Sequence, residues 1–571
     1  MNLNKKSKQE IVKLLKKIDY VKYEDIESSI EVPAKKEFGD LSCKIAFQLA
    51  KKLRKNPNEI ANEIAKKIDI KNSLFGKVEV VGAYINFFFN YSKISELTIK
   101  EIINKNKNYG KSEIGKGKKA MVEFSQPNPV HPMHIGHART TLLGDALSNL
   151  LEFNGYNVIR ANYMNDMGFQ VSKLVTAYTL WGNNQKPKGK ADLWLWDFYV
   201  KFHKEAKEKP ELEEKAREML RKFELEKDKH VSELWRKIVN WCIDGFKETY
   251  KKIGVDFDIY FYESDYRDLG KRLVSEALKR GVAFKSENQT IVADLEKHGL
   301  PNFVLLRSDG TGLYQTSDLG LTLHKFKKYN LDKSIWVVSS QQKLYFSQIF
   351  KTLELLGYKW VENCHHLSFE HVVLPEGKMS SREGRAIMLD QVIEELEKLA
   401  LKETEKRNKL PEKKKRDIAR KIAIGALRYA ILKIDTKNLI TFDWEKMLSF
   451  DGNTGPYIQY AYIRCKSILE KNKMIKKFKI NDFDEKEKLL LKKLIEFPDV
   501  VIQAEKELKV NLICNYVYDL AVCFSEFYHS CPVLKAENED KKNFRLSLTK
   551  STKIVLENCF RILGIEAPEI M

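Results

Sequence analysis

Three histidines fall within seven positions of "NPVHPMHIGHART" (residues 128–140): His131, His134 and His137, in a chain with 11 histidines in all. Such a group could ligate a metal, serve a nucleophile as base, or hold phosphate. Metal ligation from a helix wants i and i+4, as in H-E-x-x-H. Here the spacing is i, i+3, i+6, Pro132 and Gly136 interrupt it, and no carboxylate stands within the stretch. No metal site is expected. Phosphate fits better, because a helix start offers free backbone N–H groups and the positive end of its dipole to an anion. Gly136 lets a flat ring such as adenine approach the backbone. His134 and His137 can donate to phosphate oxygens that gain charge during displacement at the α-phosphorus. A second basic stretch, "LPEGKMSSREGR" (374–385), carries Lys378, Ser380, Arg382 and Arg385 between glycines. It could close over a leaving pyrophosphate; taken alone it reads better as a solvated charged turn.

The histidine stretch needs a strand before it and a helix after it. "AMVEFSQ" predicts a short strand. Residues 137–153, with Leu142, Leu143, Ala146, Leu147 and Leu150 at helical spacing, predict an amphipathic helix ended by Gly155, and "NVIRANYM" predicts the next strand. This βαβ unit sets the histidines at its first β-to-α turn, where α/β sheets bind ligands. Residues 185–260 break the rhythm with tryptophan-rich, heavily charged helices and read as an insertion between two halves of a sheet. Strand signals return at "TIVADL", "NFVLLRS", "SIWVVSS" and "HVVLP". Beyond residue 395 the chain reads as helical to its end, with apolar residues at i, i+3, i+4 and i+7 in "RDIARKIAIGALRYAILKI" and "TGPYIQYAYIRCKSILEK". The lysine-rich "LPEKKKRDIARK" reads as a solvated helix start.

The first ~110 residues predict a separate small α+β unit. Helices are expected around 40–54 and 57–68, then a strand in "KVEVVGAYINFFFN", where Ile85, Phe87 and Phe89 alternate with Tyr84, Asn86 and Phe88. "KNKNYGKSEIGKGKKA" reads as a linker. Its Gly110, Gly115 and Lys116 imitate the start of a P-loop, but Gly117 stands where the magnesium-binding Ser or Thr belongs, and no strand precedes the glycines. A hinge is expected there.

A chain of 571 residues exceeds one core, so three or four domains are expected. With 43% hydrophobic and 11% aromatic residues it has no disordered composition. No run approaches the ~20 apolar residues of a membrane span, and the basic N-terminus lacks a signal peptide's continuous apolar core. The eight cysteines never form C-x-x-C, which suits buried thiols in a reducing cytoplasm. The net charge of +21 favours a polyanionic partner, though only slightly over a generally lysine-rich composition.

"HIGH" followed some 240 residues later by "KMSSR" resembles the paired signatures of class I aminoacyl-tRNA synthetases. "VEFSQPNPVHPMHIGHARTTLLGDAL", "DGTGLYQTSDLG", "GNTGPYIQYAYIR" and the terminal "LGIEAPEIM" resemble stretches of one family within that class, the arginyl-tRNA synthetases. So do "FGDLSCKIAFQLAKKL", "NPNEIA" and "GAYINFFFN", which match that family's additional N-terminal domain; the likeness runs nearly the whole chain in order.

The resemblance implies an α/β Rossmann-type catalytic core (113–395, with the inserted segment at 185–260), an N-terminal α+β additional tRNA-binding domain (1–112), and a C-terminal all-α helical bundle for stem contact and anticodon binding (396–571). It implies catalytic roles for His134, His137, Lys378 and Arg382, and ATP contacts from His134, Gly136, His137, Lys378, Met379 and Ser380. Arginine-contacting positions map onto Glu123, Ser125, Asn128, Tyr314, Asp318 and Gln342, with Gln341 beside the last in register. Tyr314 and Asp318, four apart, share a helix face. A guanidinium has five donors and a fixed charge, so acids and acceptors suit it. Glu123 and Asp318 could instead pair with basic residues of the protein itself. Anticodon contacts map onto Tyr457, Tyr460, Tyr528 and Met571; Tyr457, Tyr460 and Arg464 share one helical face, and aromatic rings give stacking platforms for unpaired bases.

The implied partners are tRNA(Arg), L-arginine and ATP with Mg2+ as substrate, with no tightly bound cofactor, in a cytoplasmic monomer. The implied chemistry is arginyl-adenylate formation with loss of pyrophosphate, then transfer to the 2′-OH of the terminal adenosine, with tRNA bound before activation. Two positions depart from the family pattern: Ser381 stands where K-M-S-K-S has its second lysine, and His131 where members lacking that lysine often place another. Lys378, Arg382 and, less favourably, His131 are the candidates for the missing charge. Two rival readings are an H-x-G-H nucleotidylyltransferase without tRNA and an inactive RNA-binding paralogue. The first has no use for the N-terminal unit or long helical C-terminus; the second should have lost signature residues, yet both histidines, Gly136 and Lys378 are present.

Overall fold

Five parallel strands form the sheet that carries the site, in the order Cys364–Phe369, Lys333–Ser339, Lys119–Glu123, Asn157–Met164, Ile259–Tyr262. Numbered along the chain, the order is 5-4-1-2-3: a doubly wound sheet whose winding reverses beside its central strand. Ligands of such sheets bind in the crevice outside the carboxyl ends at that reversal. This structure is a computed structural model and describes residues 3–373, 387–407, 410–441, 443–472 and 474–571.

The central strand is buried on both faces, with Ala120, Met121 and Val122 fully covered, as parallel sheets require. It feeds the helix Ile135–Phe153, which crosses to Asn157–Met164. On the other side of the reversal, the helix Tyr314–Tyr329 leads into Lys333–Ser339. Met121, Ala161, Tyr163, Phe261, Leu321 and Trp336 form one core layer against the sheet. The insertion consists of three helices, Ala191–Glu208, Glu211–Glu224 and Lys229–Ile253, with Trp235 fully buried.

Two of the five strands, Ile259–Tyr262 and Cys364–Phe369, lacked a readable signal. The first is four residues long at the end of the charged insertion. The second reads "CHHLSF", an edge strand with too many polar residues to stand out. Conversely, "TIVADL" and "NFVLLRS" supply Ile291–Ala293 and Phe303–Leu306, which pair antiparallel with Ala283–Lys285 in a separate small sheet. Its apolar side packs with Leu273, Leu319 and Leu353. Val372–Val373 of "HVVLP" pairs with Ile440–Thr441, not with the main sheet.

Two buried arginines fix the helix Ile135–Phe153. Arg139 donates to the carbonyls of Asn438 (2.8 Å) and Asp435 (3.1 Å). Arg428 pairs with Asp145 and donates to the carbonyls of Leu563 (2.9 Å) and Ile253 (2.8 Å), the last residues of two helices. Those carbonyls have no partner within their own helices, so one guanidinium caps both.

Except for the helix that ends at Leu563, these elements belong to one compact unit, Ser112–Gln459, Ala504–Cys514 and Phe560–Met571; the other is Met1–Lys111, Tyr460–Gln503 and Asn515–Cys559. In the latter, "KVEVVGAYINFFFN" forms two strands, not one: Phe75–Val81 and Tyr84–Phe89 pair antiparallel with Val81 opposite Tyr84. The reversal takes place at Gly82, whose φ of +60° admits a two-residue hairpin turn. Ile85, Phe87 and Phe89 face its core as their alternation predicts. C-terminal helices pack on this N-terminal part, where the Tyr109 hydroxyl donates to the Leu494 carbonyl at 2.9 Å and Asn4 to Asp499 at 2.8 Å. Among the described residues no helix is long and apolar enough to cross a membrane.

Candidate active site

After Glu123 the chain leaves the sheet through two consecutive non-glycine residues in the left-handed region, Ser125 (φ +77°) and Gln126 (φ +49°). Such backbone persists only where its surroundings hold it. The Ser125 amide donates to Thr140 Oγ1 (3.2 Å), its hydroxyl meets Thr141 Oγ1 and the Tyr250 hydroxyl (2.8 Å each), and the Gln126 amide donates to Asn162 Oδ1 (3.1 Å). Ser125, mapped to arginine by resemblance, therefore spends its hydroxyl inside the protein. Asn128 lies beyond the elbow, and its buried Oδ1 has no hydrogen-bond partner.

His134 is the N-cap of the helix Ile135–Phe153, and the two signature histidines satisfy that helix start themselves. His134 Nδ1 accepts from the Gly136 amide and His137 Nδ1 accepts from the His134 amide, both at 3.1 Å. An imidazole whose Nδ1 accepts carries its proton on Nε2. Both rings, 3.9 Å apart between centroids, thus present Nε2–H donors at a helix N-terminus. Burial holds them neutral: it lowers His134 to about 4, and His137, with its histidine neighbours adding, lies well below the ordinary value. His131 stands 5.7–5.8 Å from both rings, and its Nδ1 meets the Pro132 carbonyl at 3.0 Å. Among the described residues no cluster of three or more His, Cys, Asp or Glu side chains is arranged to hold a metal. Lys378, Met379, Ser380 and Arg382 lie outside the described residues. The chain is described again from Ile387, whose carbonyl accepts from the Ile135 amide (3.1 Å), while the Leu389 amide donates to the Met133 carbonyl (2.8 Å).

The amino-acid side of the crevice is acidic, and its acids differ in their partners. Glu123, at the end of the central strand, accepts from Gln126 Nε2 at 2.7 Å and pairs with Lys325, whose side chain is fully buried. Glu263, at the carboxyl end of Ile259–Tyr262, pairs with Arg267 at 2.6 Å and accepts from Asn165 at 3.3 Å. Burial pushes Glu263 up to about 7, against the pull of Arg267. Asp318 has no cationic partner among the described residues; it accepts from the Tyr345 hydroxyl. Burial pushes it up to about 6, Tyr345 opposes the rise, and the Glu123 charge adds to it. The buried Tyr163 hydroxyl stands beside the same carboxylate and, like Tyr345, opposes the rise. Tyr314, one turn before Asp318, is 51% exposed, with its ring 5.1 Å from that of Tyr345. Gln342 sits in the single turn that follows Lys333–Ser339. A buried carboxylate without a cationic partner among the described residues, beside the unpartnered Asn128 Oδ1, suits a polar cation better than any apolar ligand.

Tyr163, Glu263, Arg267, Lys325 and Tyr345 were not read from the sequence. Lys325 follows Asp318 by seven residues, two helical turns, and could have been found by extending the face. Glu263 depended on recognising the strand before it. Tyr163 and Tyr345 had no signal beyond their type.

Of the mapped anticodon residues, Tyr460 and Tyr528 come together: Arg464 stacks on both rings, 4.7 and 4.6 Å from their centroids. Tyr457, in the first turn of the helix Gly455–Glu470, and Met571 belong to the other unit. The N-terminal sheet carries a pocket of about 580 Å3. Phe47 and Tyr84, ring centroids 5.3 Å apart, stand exposed at it, and Asn86 offers a buried, unpartnered Nδ2.

Residues 98–444 match the family described as tRNA synthetases class I (R), catalytic domain. A doubly wound sheet with a self-capped histidine pair at its reversal thus defines a class I aminoacyl-tRNA synthetase. Residues 5–89 match the arginyl tRNA synthetase N terminal domain, and 458–571 the DALR anticodon binding domain. The chain is 39% identical to the arginine–tRNA ligase of Halothermothrix orenii over 99% of both chains, and 39% identical to that of Clostridium perfringens over 96% and 97%. Its fold matches the solved Thermus thermophilus arginyl-tRNA synthetase with a TM-score of 0.83, at 27% identity and full coverage of both. The chain belongs to the arginyl-tRNA synthetase family.

Proposed function

We propose that this chain attaches L-arginine to tRNA(Arg) for translation, by way of arginyl-adenylate. Asp318 carries the reading: it is a buried carboxylate with no ion-pair partner among the described residues, and an arginine side chain supplies a cation with a donor fork to match. Asn128 Oδ1 is left as an unfilled acceptor for the same substrate, Tyr314 and Gln342 stand at its rim, and Glu123 and Ser125 shape the elbow beneath it. Lysine lacks the fork and citrulline the charge, so polar partners left unpaired would discriminate by ~10⁴-fold without an editing site.

The arginine carboxylate attacks the α-phosphorus of ATP, with Mg2+ as the nucleotide's counter-ion. The Nε2–H groups of His134 and His137 stabilise the charge that builds on the phosphate, Gly136 admits the adenine, and pyrophosphate leaves. Lys378, Ser380 and Arg382 are assigned to that leaving group, and Met379 to the nucleotide. The 2′-OH of the terminal adenosine then takes the arginyl group, so positioning and charge stabilisation suffice.

In the same reading residues 396–571 contact the tRNA stem and anticodon, where Tyr460 and Tyr528 around Arg464 offer stacking faces, with Tyr457 and Met571 as further contacts. Residues 1–112 hold tRNA as well; aromatic rings beside a free amide donor suit an unpaired base. The protein works as a cytoplasmic monomer without a resident cofactor. ATP–pyrophosphate exchange over twenty amino acids, with tRNA(Arg) present, tests the assignment. Exchange with arginine alone is expected; exchange with a different amino acid, or none, would sink it.

A further inference from the structure

We propose that Lys325 is the built-in counter-ion of the amino-acid pocket: it cancels the charge of Glu123, holds that carboxylate in place, and so leaves Asp318 ready to meet the substrate guanidinium. Lys325 is a positioning residue in this scheme, and the scheme rests on the arginine reading above.

Lys325 sits two turns after Asp318 on the helix Tyr314–Tyr329 and therefore on the same face. Its side chain is entirely buried. The ammonium pairs with Glu123, the last residue of the central strand, and lies 4.7 Å from the ring centroid of Trp336 and 5.5 Å from that of Phe261. Trp336 is the register partner of Glu123 on the neighbouring strand, and Phe261 comes from the edge strand Ile259–Tyr262. Three strands thus contribute a carboxylate and two aromatic faces to one cation. Apolar residues of similar volume often stabilise such a buried position better than an ion pair does. A retained pair therefore suits a site in which the charge itself has work to do.

That work follows from who faces whom. Glu123 and Asp318 oppose each other electrostatically, and Lys325 favours the ionised form of Asp318. Without Lys325, two acids would share the pocket and one would take up a proton. The other groups facing Asp318 are Tyr163, Tyr345 and Tyr314, all raised, and Glu263 with its own Arg267. Cys364 and His324 face Lys325; burial pushes the first up to about 12 and lowers the second. Asp318, at about 6, and Glu263, at about 7, are the acids of this pocket that burial carries toward neutrality.

The test is the pH profile of kcat/KM for arginine in aminoacylation at saturating ATP and tRNA(Arg), which reports groups of the enzyme before arginine binds. The lower break is expected to move up by about one pH unit in Lys325→Met and down in Glu123→Gln, and to stay put in Lys325→Arg. It should be absent from Asp318→Asn, which identifies it. If Lys325→Met does not fold, Glu123→Gln, nearly the same in shape, decides alone. A break that ignores Glu123→Gln, or a Lys325→Met that lowers kcat/KM equally at every pH, overturns the counter-ion role. Failure of the wild type to charge tRNA with arginine would instead overturn the reading beneath it.

Discussion

At the histidine turn the site is neutral and its polar atoms are turned inward: His134 and His137 use their Nδ1 atoms to close their own helix start and keep Nε2–H for a ligand. On the helix Tyr314–Tyr329 the opposite holds, since Asp318 is left ionisable, desolvated and without an ion-pair partner among the described residues. Each half is complementary to a different charge. Neutral donors at a helix N-terminus suit a phosphate that becomes more negative during reaction, whereas an uncompensated carboxylate suits a substrate whose charge never changes. The contrast teaches that preorganisation takes two forms here. The phosphate half is already satisfied before a ligand arrives, and the arginine half is satisfied only by the ligand.

The largest effect should come from breaking the arginine half. Asp318→Asn is expected to lower kcat/KM for arginine by about 10³-fold, mostly through KM, because a guanidinium is then buried without its counter-charge. Steady-state aminoacylation measures it, and an unchanged KM would make Asp318 structural. Next, His134→Asn keeps a good N-cap while deleting the Nε2–H. Adenylate formation in single turnovers should slow by about 10²-fold with thermal stability intact; loss of stability without loss of rate would reverse the roles assigned to cap and donor. Tyr528→Ala should raise KM for tRNA(Arg) about tenfold and leave KM for arginine alone, since it removes a stacking face that belongs to the other compact unit. A change in KM for arginine would contradict that separation.

The smallest effect is on folding. Asp318 has its folded value, about 6, above the ordinary carboxylate value of 3.8, so its ionisation opposes folding above that range and ceases to matter below about 4. Asp318→Asn should therefore be more stable than the wild type at pH 7, on the order of 1 kcal/mol, and show no gain at pH 4. Denaturant titrations at both pH values compare them. A destabilised Asp318→Asn at pH 7 would mean that the carboxylate is already satisfied without substrate.

Much of the histidine half was legible because it is local. The cap, the glycine and the helix start lie within four consecutive residues, and a strand before and a helix after were readable from apolar spacing. The arginine half was legible only in part. Tyr314 and Asp318 share a face at i, i+4, and Lys325 continues it, but Tyr345 and Glu263 reach the pocket from other elements. The strands that failed to show, Ile259–Tyr262 and Cys364–Phe369, failed for physical reasons: one is too short for a period and the other is an edge with polar residues. The hairpin at Gly82 was read as one strand because alternation continues through a two-residue turn.

By itself, then, the sequence determined the first strand–helix–strand unit of the core, the turn that handles phosphate and the residue types that face an amino acid, because hydrophobic period and helix capping act over a few residues. Only the tertiary structure decided which acid was left open. Glu123 and Asp318 are alike as sequence; burial beside Lys325 closes one, and the hydroxyls of Tyr345 and Tyr163, neither of them a cation, leave the other to the substrate. Charge pairing is settled by distance across the fold, and distance across the fold is not written in any local spacing.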